Sequence, residues 1–142
     1  MGYRSDVRII TTKKGYEELK KYADEYIKKF DKNNDNLLDE CILFNETKSL
    51  KYFGWDNIKW YEDDYVEVDA IMKGLNHLRD NDYSYRYSRF GEEYDDFEEC
   101  ENNSYKKEKI GLPYICLKRE YDDEFVANGM RINEQIIKEV ER

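Results

Sequence analysis

The chain has one proline, one histidine and three cysteines in 142 residues, and each scarcity removes a class of chemistry. A lone histidine, His77, has no Cys, Ser or acidic partner at catalytic spacing, so a nucleophile-and-base constellation is hard to assemble. Cys41, Cys100 and Cys116 are odd in number and lack metal-type spacing. They read as free thiols in a reducing, cytosolic setting. There is no Gly-rich phosphate loop, CxxC, HExxH or internal repeat. No apolar run is long enough to span a bilayer. The opening MGYRSDVRII has no signal-peptide hydrophobic region, and Asp6 replaces the Ser or Thr that a myristoylation signal wants. Two carboxylates could in principle do acid–base work, but nothing singles out a pair. No enzyme, cofactor or metal is expected.

What the chain has in abundance is charge and aromatic rings. Charged residues make up 40% and the net charge is −9, with fourteen Tyr supplying much of the apolar area. The acidity is concentrated. Between Glu92 and Glu101, seven of ten residues are acidic (Glu92, Glu93, Asp95, Asp96, Glu98, Glu99, Glu101), and this stretch alone carries −7. Just before it, Tyr83 to Phe90 alternates Tyr83, Tyr85, Tyr87 and Arg89 with Ser84, Arg86, Ser88 and Phe90, the period of a half-buried strand. Gly91 ends it at a turn or bulge.

Taken in order, Asp6 to Thr12 reads as a β-branched strand, and Lys13 to Gly15 turn it into a helix. Tyr16, Leu19, Ala23, Tyr26, Ile27 and Phe30 mark that helix's apolar face. Asp31 to Ile42 imitates a calcium-binding EF-hand loop, with Asp31, Asn33, Asp35 and Asp39 at ligand positions. Ile42 stands where a bidentate Glu belongs, which argues for a polar turn instead. Cys41 to Phe44 reads as a buried strand. In Lys51 to Tyr61, Phe53 and Trp55 are out of phase with Ile58 and Trp60, so a bulge near Asp56 and Asn57, or a tight hairpin, is expected. Asp63 or Asp64 caps a second helix, with Asp64 and Glu67 as a capping-box-like pair and Val68, Ile71, Met72, Leu75 and Leu78 as its apolar face. Tyr114 to Tyr121 suggests a last strand. Met130, Ile132, Ile136, Ile137 and Val140 mark a C-terminal helix.

The β–α–β–β–α–β order up to Phe90 predicts an α+β fold: a ferredoxin-like antiparallel sheet with two helices on one face, plus a C-terminal strand and helix. A single domain over 1–142 is expected, with a core of about 5–91, an acidic segment 92–101 and an extension 110–142.

At GYRSDVRI, YFGWDNIKWYE and YRYSRFGEEYDDFEE the chain resembles small uncharacterised proteins of phages and prophages of low-GC Gram-positive bacteria. The resemblance spans residues 2 to 100 and includes the R-x-G-E-x-x-D-D ending of the central strand. It implies a phage setting and the host cytoplasm, where small acidic non-enzymatic proteins often act on host defence, for example as anti-CRISPR inhibitors.

Three functions follow as expectations. The first is an inhibitor whose acidic surface (Glu92, Glu93, Asp95, Asp96, Glu98, Glu99, with Tyr94 and Phe97 as anchors) imitates nucleic acid and occupies a basic groove of a host protein such as a CRISPR effector. The plainer reading of the same run is a solvated acidic turn neutralised by Arg86 and Arg89 or by nearby lysines. The second is a binder of a nucleotide-like ligand, stacking on Tyr85, Tyr87 or Trp60 with Arg86 or Arg89 on phosphate. The third is an accessory phage module. The acidic balance argues against direct binding to nucleic acid or membrane, and an exposed sheet edge leaves a homodimer open.

Overall fold

The structure, a computed structural model, describes residues 2–104, 106–108, 111–115 and 123–141. The strands are β1 (Ser5–Thr12), β2 (Ile42–Glu46), β3 (Leu50–Ile58), β4 (Tyr85–Gly91) and β5 (Phe97–Asn102). The helices are α1 (Lys13–Phe30), α2 (Val66–Asp80) and α3 (Asp123–Glu141), with a short 3-10 turn at Leu37–Asp39. The fold is α+β, one five-stranded sheet in the order β2-β3-β1-β4-β5 with every neighbouring pair antiparallel.

One face of the sheet carries the core. Val7 and Ile9 from β1, Phe53 and Trp55 from β3, and Tyr85 and Tyr87 from β4 meet Leu19, Ala23 and Ile27 of α1 and Val68, Ile71, Leu75 and Leu78 of α2. The two helices approach closely at Gly74, where an added Cβ would lie 2.4 Å from Leu19 Cδ1. Helix α1 begins directly after β1, without the expected turn. Thr12 is its cap: its side-chain oxygen accepts the Gly15 N–H at 2.9 Å, satisfying one of the donors a helix start leaves open.

The broken alternation of the aromatic stretch marks a bulge. Ser5 pairs with Ile58 and Val7 with Trp55, so β3 carries one extra residue at Asp56 and Asn57, and Asn57 adopts a φ of 55°. Trp55 and Trp60 are buried with ring centroids 5.1 Å apart.

Three expectations are corrected. Cys41 to Phe44 is not a buried strand: β2 is the sheet's edge, and Ile42, Leu43 and Phe44 are 43%, 48% and 37% exposed. The helices pack over β1, β3 and β4, so the apolar side chains of β2 lie beyond the cover. The Asp64–Glu67 capping box does not form, because α2 starts later, at Val66, and its cap Tyr65 makes no side-chain bond. Asp69 instead accepts the Asp63 N–H at 2.8 Å, with Asp63 in a left-handed turn at φ 71°. The acidic run, expected as a segment outside the core, supplies the fifth strand among the described residues. Of the strand expected at Tyr114 to Tyr121, only Tyr114 and Ile115 lie among the described residues, and the rest of it lies outside them.

The second face of the sheet is crossed by the segment after β5. Ser104 and Ser84 exchange hydrogen bonds, and Glu108 accepts from Thr12 and from the Ser84 N–H. Arg86 donates to the Leu112 carbonyl at 3.3 Å and lies 4.0 Å from the centre of the Tyr114 ring. Ser84, Arg86 and Ser88, which alternate with the core tyrosines, are buried on this face.

Candidate acidic interaction edge

The acidic run folds as the turn 92–96 and the edge strand β5. Gly91 donates its N–H to the Asp96 carbonyl at 2.8 Å, closing the turn. The register then sets Arg89 opposite Glu98, Ser88 opposite Glu99 and Arg86 opposite Glu101. Cross-strand neighbours of opposite charge stabilise a sheet, and here both arginines come from the well-buried strand β4. Arg89 forms ion pairs with Asp96 at 2.9 Å and Glu98 at 2.6 Å, and Arg86 pairs with Glu101. The Arg89 side chain is only 11% exposed. Burial works against its charge, but hydrogen bonds to Asp96 and Glu98 outweigh this and hold the guanidinium above its ordinary pKa.

A strut from the start of the chain braces the turn. Tyr3 Oη donates to Asp96 Oδ2 at 2.6 Å and accepts the Glu93 N–H at 3.1 Å. The carboxylate beside it raises the Tyr3 hydroxyl above its usual pKa. The Arg4 N–H donates to Glu92 at 3.2 Å, and the Arg4 side chain reaches back to the Asn57 carbonyl at 2.9 Å, tying the turn to the β3 bulge. Arg89 also donates to Ser5 Oγ at 3.0 Å. A Cβ on Gly91 would fall 2.2 Å from Tyr3 Oη and 2.3 Å from Asp96 Oδ2, so the bare glycine makes room for the strut.

This geometry sorts the seven carboxylates. Asp96, Glu98 and Glu101 are engaged by arginines and hold the hairpin together. Glu92, Glu93, Asp95 and Glu99 are exposed, and among the described residues none of these four forms an ion pair. Tyr94 and Phe97 sit among them, 76% and 54% exposed. Composition alone did not show that Tyr3, Arg4 and Gly91 belong to this site. The one available signal was that GYRS and R-x-G-E-x-x-D-D stand together in the resemblance.

The alternative ligand set is placed differently. Tyr85, Tyr87 and Trp60 are 0%, 2% and 6% exposed, with their rings inside the core, and Arg86 and Arg89 are committed to carboxylates. Burial raises the Tyr85 and Tyr87 hydroxyls above their ordinary pKa values, and Tyr85 further binds Arg79 at 2.8 Å. These residues therefore present no open stacking platform.

The remaining candidates are tied up locally. In the calcium-like loop, Asn36 accepts the Leu38 N–H and donates to Asp24 at 2.8 Å, and Asp39 pairs with Lys20. Among the described residues no three metal-ligating side chains converge. His77 bonds Glu18 at 2.9 Å, which lowers the Glu18 pKa, and stacks on Tyr22. Cys41 and Cys100 are free, and burial pushes the Cys41 thiol up; Cys116 lies outside the described residues. Among the described residues no helix is long and apolar enough to cross a membrane.

No protein-family model, curated protein or solved structure matches this chain.

Proposed function

We propose that the β4–β5 hairpin is an interaction surface, and that the protein is a non-enzymatic, phage-type anti-defence inhibitor occupying a basic nucleic-acid groove on a host protein. The observation that carries this reading is the division of labour among the carboxylates. Three are neutralised by arginines, whereas Glu92, Glu93, Asp95 and Glu99 stand exposed around Tyr94 and Phe97 on a braced turn. A charged edge needed only for solubility has no call for exposed rings in its midst or for a strut from the far end of the chain. Fixed negative charge of this kind raises association rate and selects basic partners, and the rings supply the apolar contact that charge alone does not. The resemblance of GYRSDV, KWYE and R-x-G-E-x-x-D-D to phage proteins supports the setting, a host cell containing a CRISPR effector or similar machine. The order β2-β3-β1-β4 of the first four strands, with a helix after β1 and another after β3, supports a ferredoxin-like core beneath the hairpin.

The test is affinity capture of tagged protein from lysate of a CRISPR-bearing Gram-positive host. It is run beside a variant with Glu92→Gln, Glu93→Gln, Asp95→Asn and Glu99→Gln, which leaves Asp96, Glu98 and Glu101 in their ion pairs. A nucleic-acid-binding partner retained by the native protein in low salt and lost by the folded variant is the expected result. Equal capture by both proteins would remove the acidic edge from the account.

A further inference from the structure

Helix α3 exposes an apolar stripe that nothing among the described residues covers: Met130, Ile132, Ile136 and Val140 are 64%, 58%, 53% and 80% exposed. At about 100° per residue these four lie within an arc of roughly 160°. Exposed Glu134 and Glu139 fall just beyond its two margins, and Arg131 and Lys138 lie on the opposite side. A 19-residue helix gains little stability alone and needs its apolar face packed. Pairing α3 with α3 of a second copy would bring carboxylate margins together.

The body carries a surface of matching shape and opposite charge. Tyr22, Tyr26 and Phe30 form an aromatic ridge along α1, with successive ring centroids 6.2 and 4.5 Å apart. Phe30 is 58% exposed. The ridge floors a groove of about 560 Å³ between α1 and α2, bordered by Lys29 and Lys73 and a single carboxylate, Glu25. An apolar stripe with acidic margins meets an aromatic floor with lysines beside it.

In this structure the same chain does not make this contact: the α3 stripe and Phe30 are both exposed. The last residues described before α3 lie on the other side of the sheet, where Tyr114 stacks over Arg86 on the face opposite α1. We propose that α3 docks in the Tyr22–Tyr26–Phe30 groove of a second copy, and that reciprocal exchange of the two helices closes a two-fold dimer.

Sedimentation velocity of the full chain at micromolar concentration tests this, with circular dichroism to confirm folding. Native protein sediments as a dimer. Ile136→Glu on α3 and Phe30→Glu on α1 each weaken the dimer at least about tenfold. Lys29→Glu with Lys73→Glu does the same, and adding Glu134→Lys with Glu139→Lys restores it. A native protein that stays monomeric overturns the proposal, including the case where crosslinking shows α3 packed on its own body. So does a dimer indifferent to Phe30→Glu, which would point to α3–α3 or β2–β2 pairing.

Discussion

At one edge of the sheet, β5 carries Glu98, Glu99 and Glu101, and Arg86 and Arg89 reach across from β4 to two of them. At the other edge, β2 carries Ile42, Leu43 and Phe44, each more than a third exposed. Both edges present unpaired backbone groups that invite another strand. The acidic edge discourages one with charge. The apolar edge relies on irregularity: the register slips between Leu43 and Asn45, and Phe44 packs against Tyr52 and under the Arg8 guanidinium, 4.0 Å from its ring centre. The contrast shows that charge is not needed simply to finish a sheet. Three of the seven carboxylates on the acidic edge are structural, held by guanidiniums that are nearly buried, and the exposed remainder calls for another explanation.

The arginines give the largest way to break this comparison. Arg89→Ala leaves Asp96 and Glu98 without their partner and empties a nearly buried site, so it should cost about 2–4 kcal/mol in urea denaturation. Arg8→Ala on the central strand β1, whose guanidinium covers Phe44 of the apolar edge, removes a more exposed pair with Asp56 at 2.7 Å and should cost under about 1 kcal/mol. Equal costs would mean that the two edges are held alike. Gly91→Ala comes next. Its methyl group must push Tyr3 away from Asp96, and a loss of about 1–2 kcal/mol is expected. Hydrogen exchange at Glu93 and Asp96 should rise together with that loss, since both amides belong to the braced turn.

A hydrogen-bonded pair remote from both edges, Glu18 and His77, sets the small end of the scale. The Glu18 carboxyl is held below its ordinary pKa by His77, so the folded state binds its proton less tightly than the unfolded chain does. The stabilisation is therefore present above the ordinary carboxylate range and is lost as pH falls through the lowered folded value. Both side chains are about 30% exposed, so Glu18→Gln should cost only a few tenths of a kcal/mol near neutral pH. The difference from native protein should vanish in acid. A penalty that grew on acidification would reverse the assigned sign.

Much of the fold was legible because burial leaves a period in the sequence. The stripe from Tyr16 to Phe30 announced α1, and the phase break between Trp55 and Ile58 announced the β3 bulge. The alternation from Tyr83 to Phe90 sorted the two faces of β4. The rest depended on contacts distant along the chain. CILF has the composition of a core strand, and only the strand order reveals that it is an edge. The acidic run reads as a turn until the register sets Arg86 and Arg89 opposite Glu101 and Glu98. Tyr3 meets Asp96 across 93 positions, a pairing that no local pattern encodes. For the same reason the acidic segment could be located from composition, while the split between structural and exposed carboxylates could not.

The most direct measurement is competition on the captured partner. Partner is loaded with labelled nucleic acid, and the native protein is titrated in at low and at moderate salt. The account predicts that nucleic acid is displaced, that added salt weakens displacement, and that the Glu92/Glu93/Asp95/Glu99 neutralised variant fails to displace it. A stable complex holding partner, nucleic acid and native protein together would contradict it.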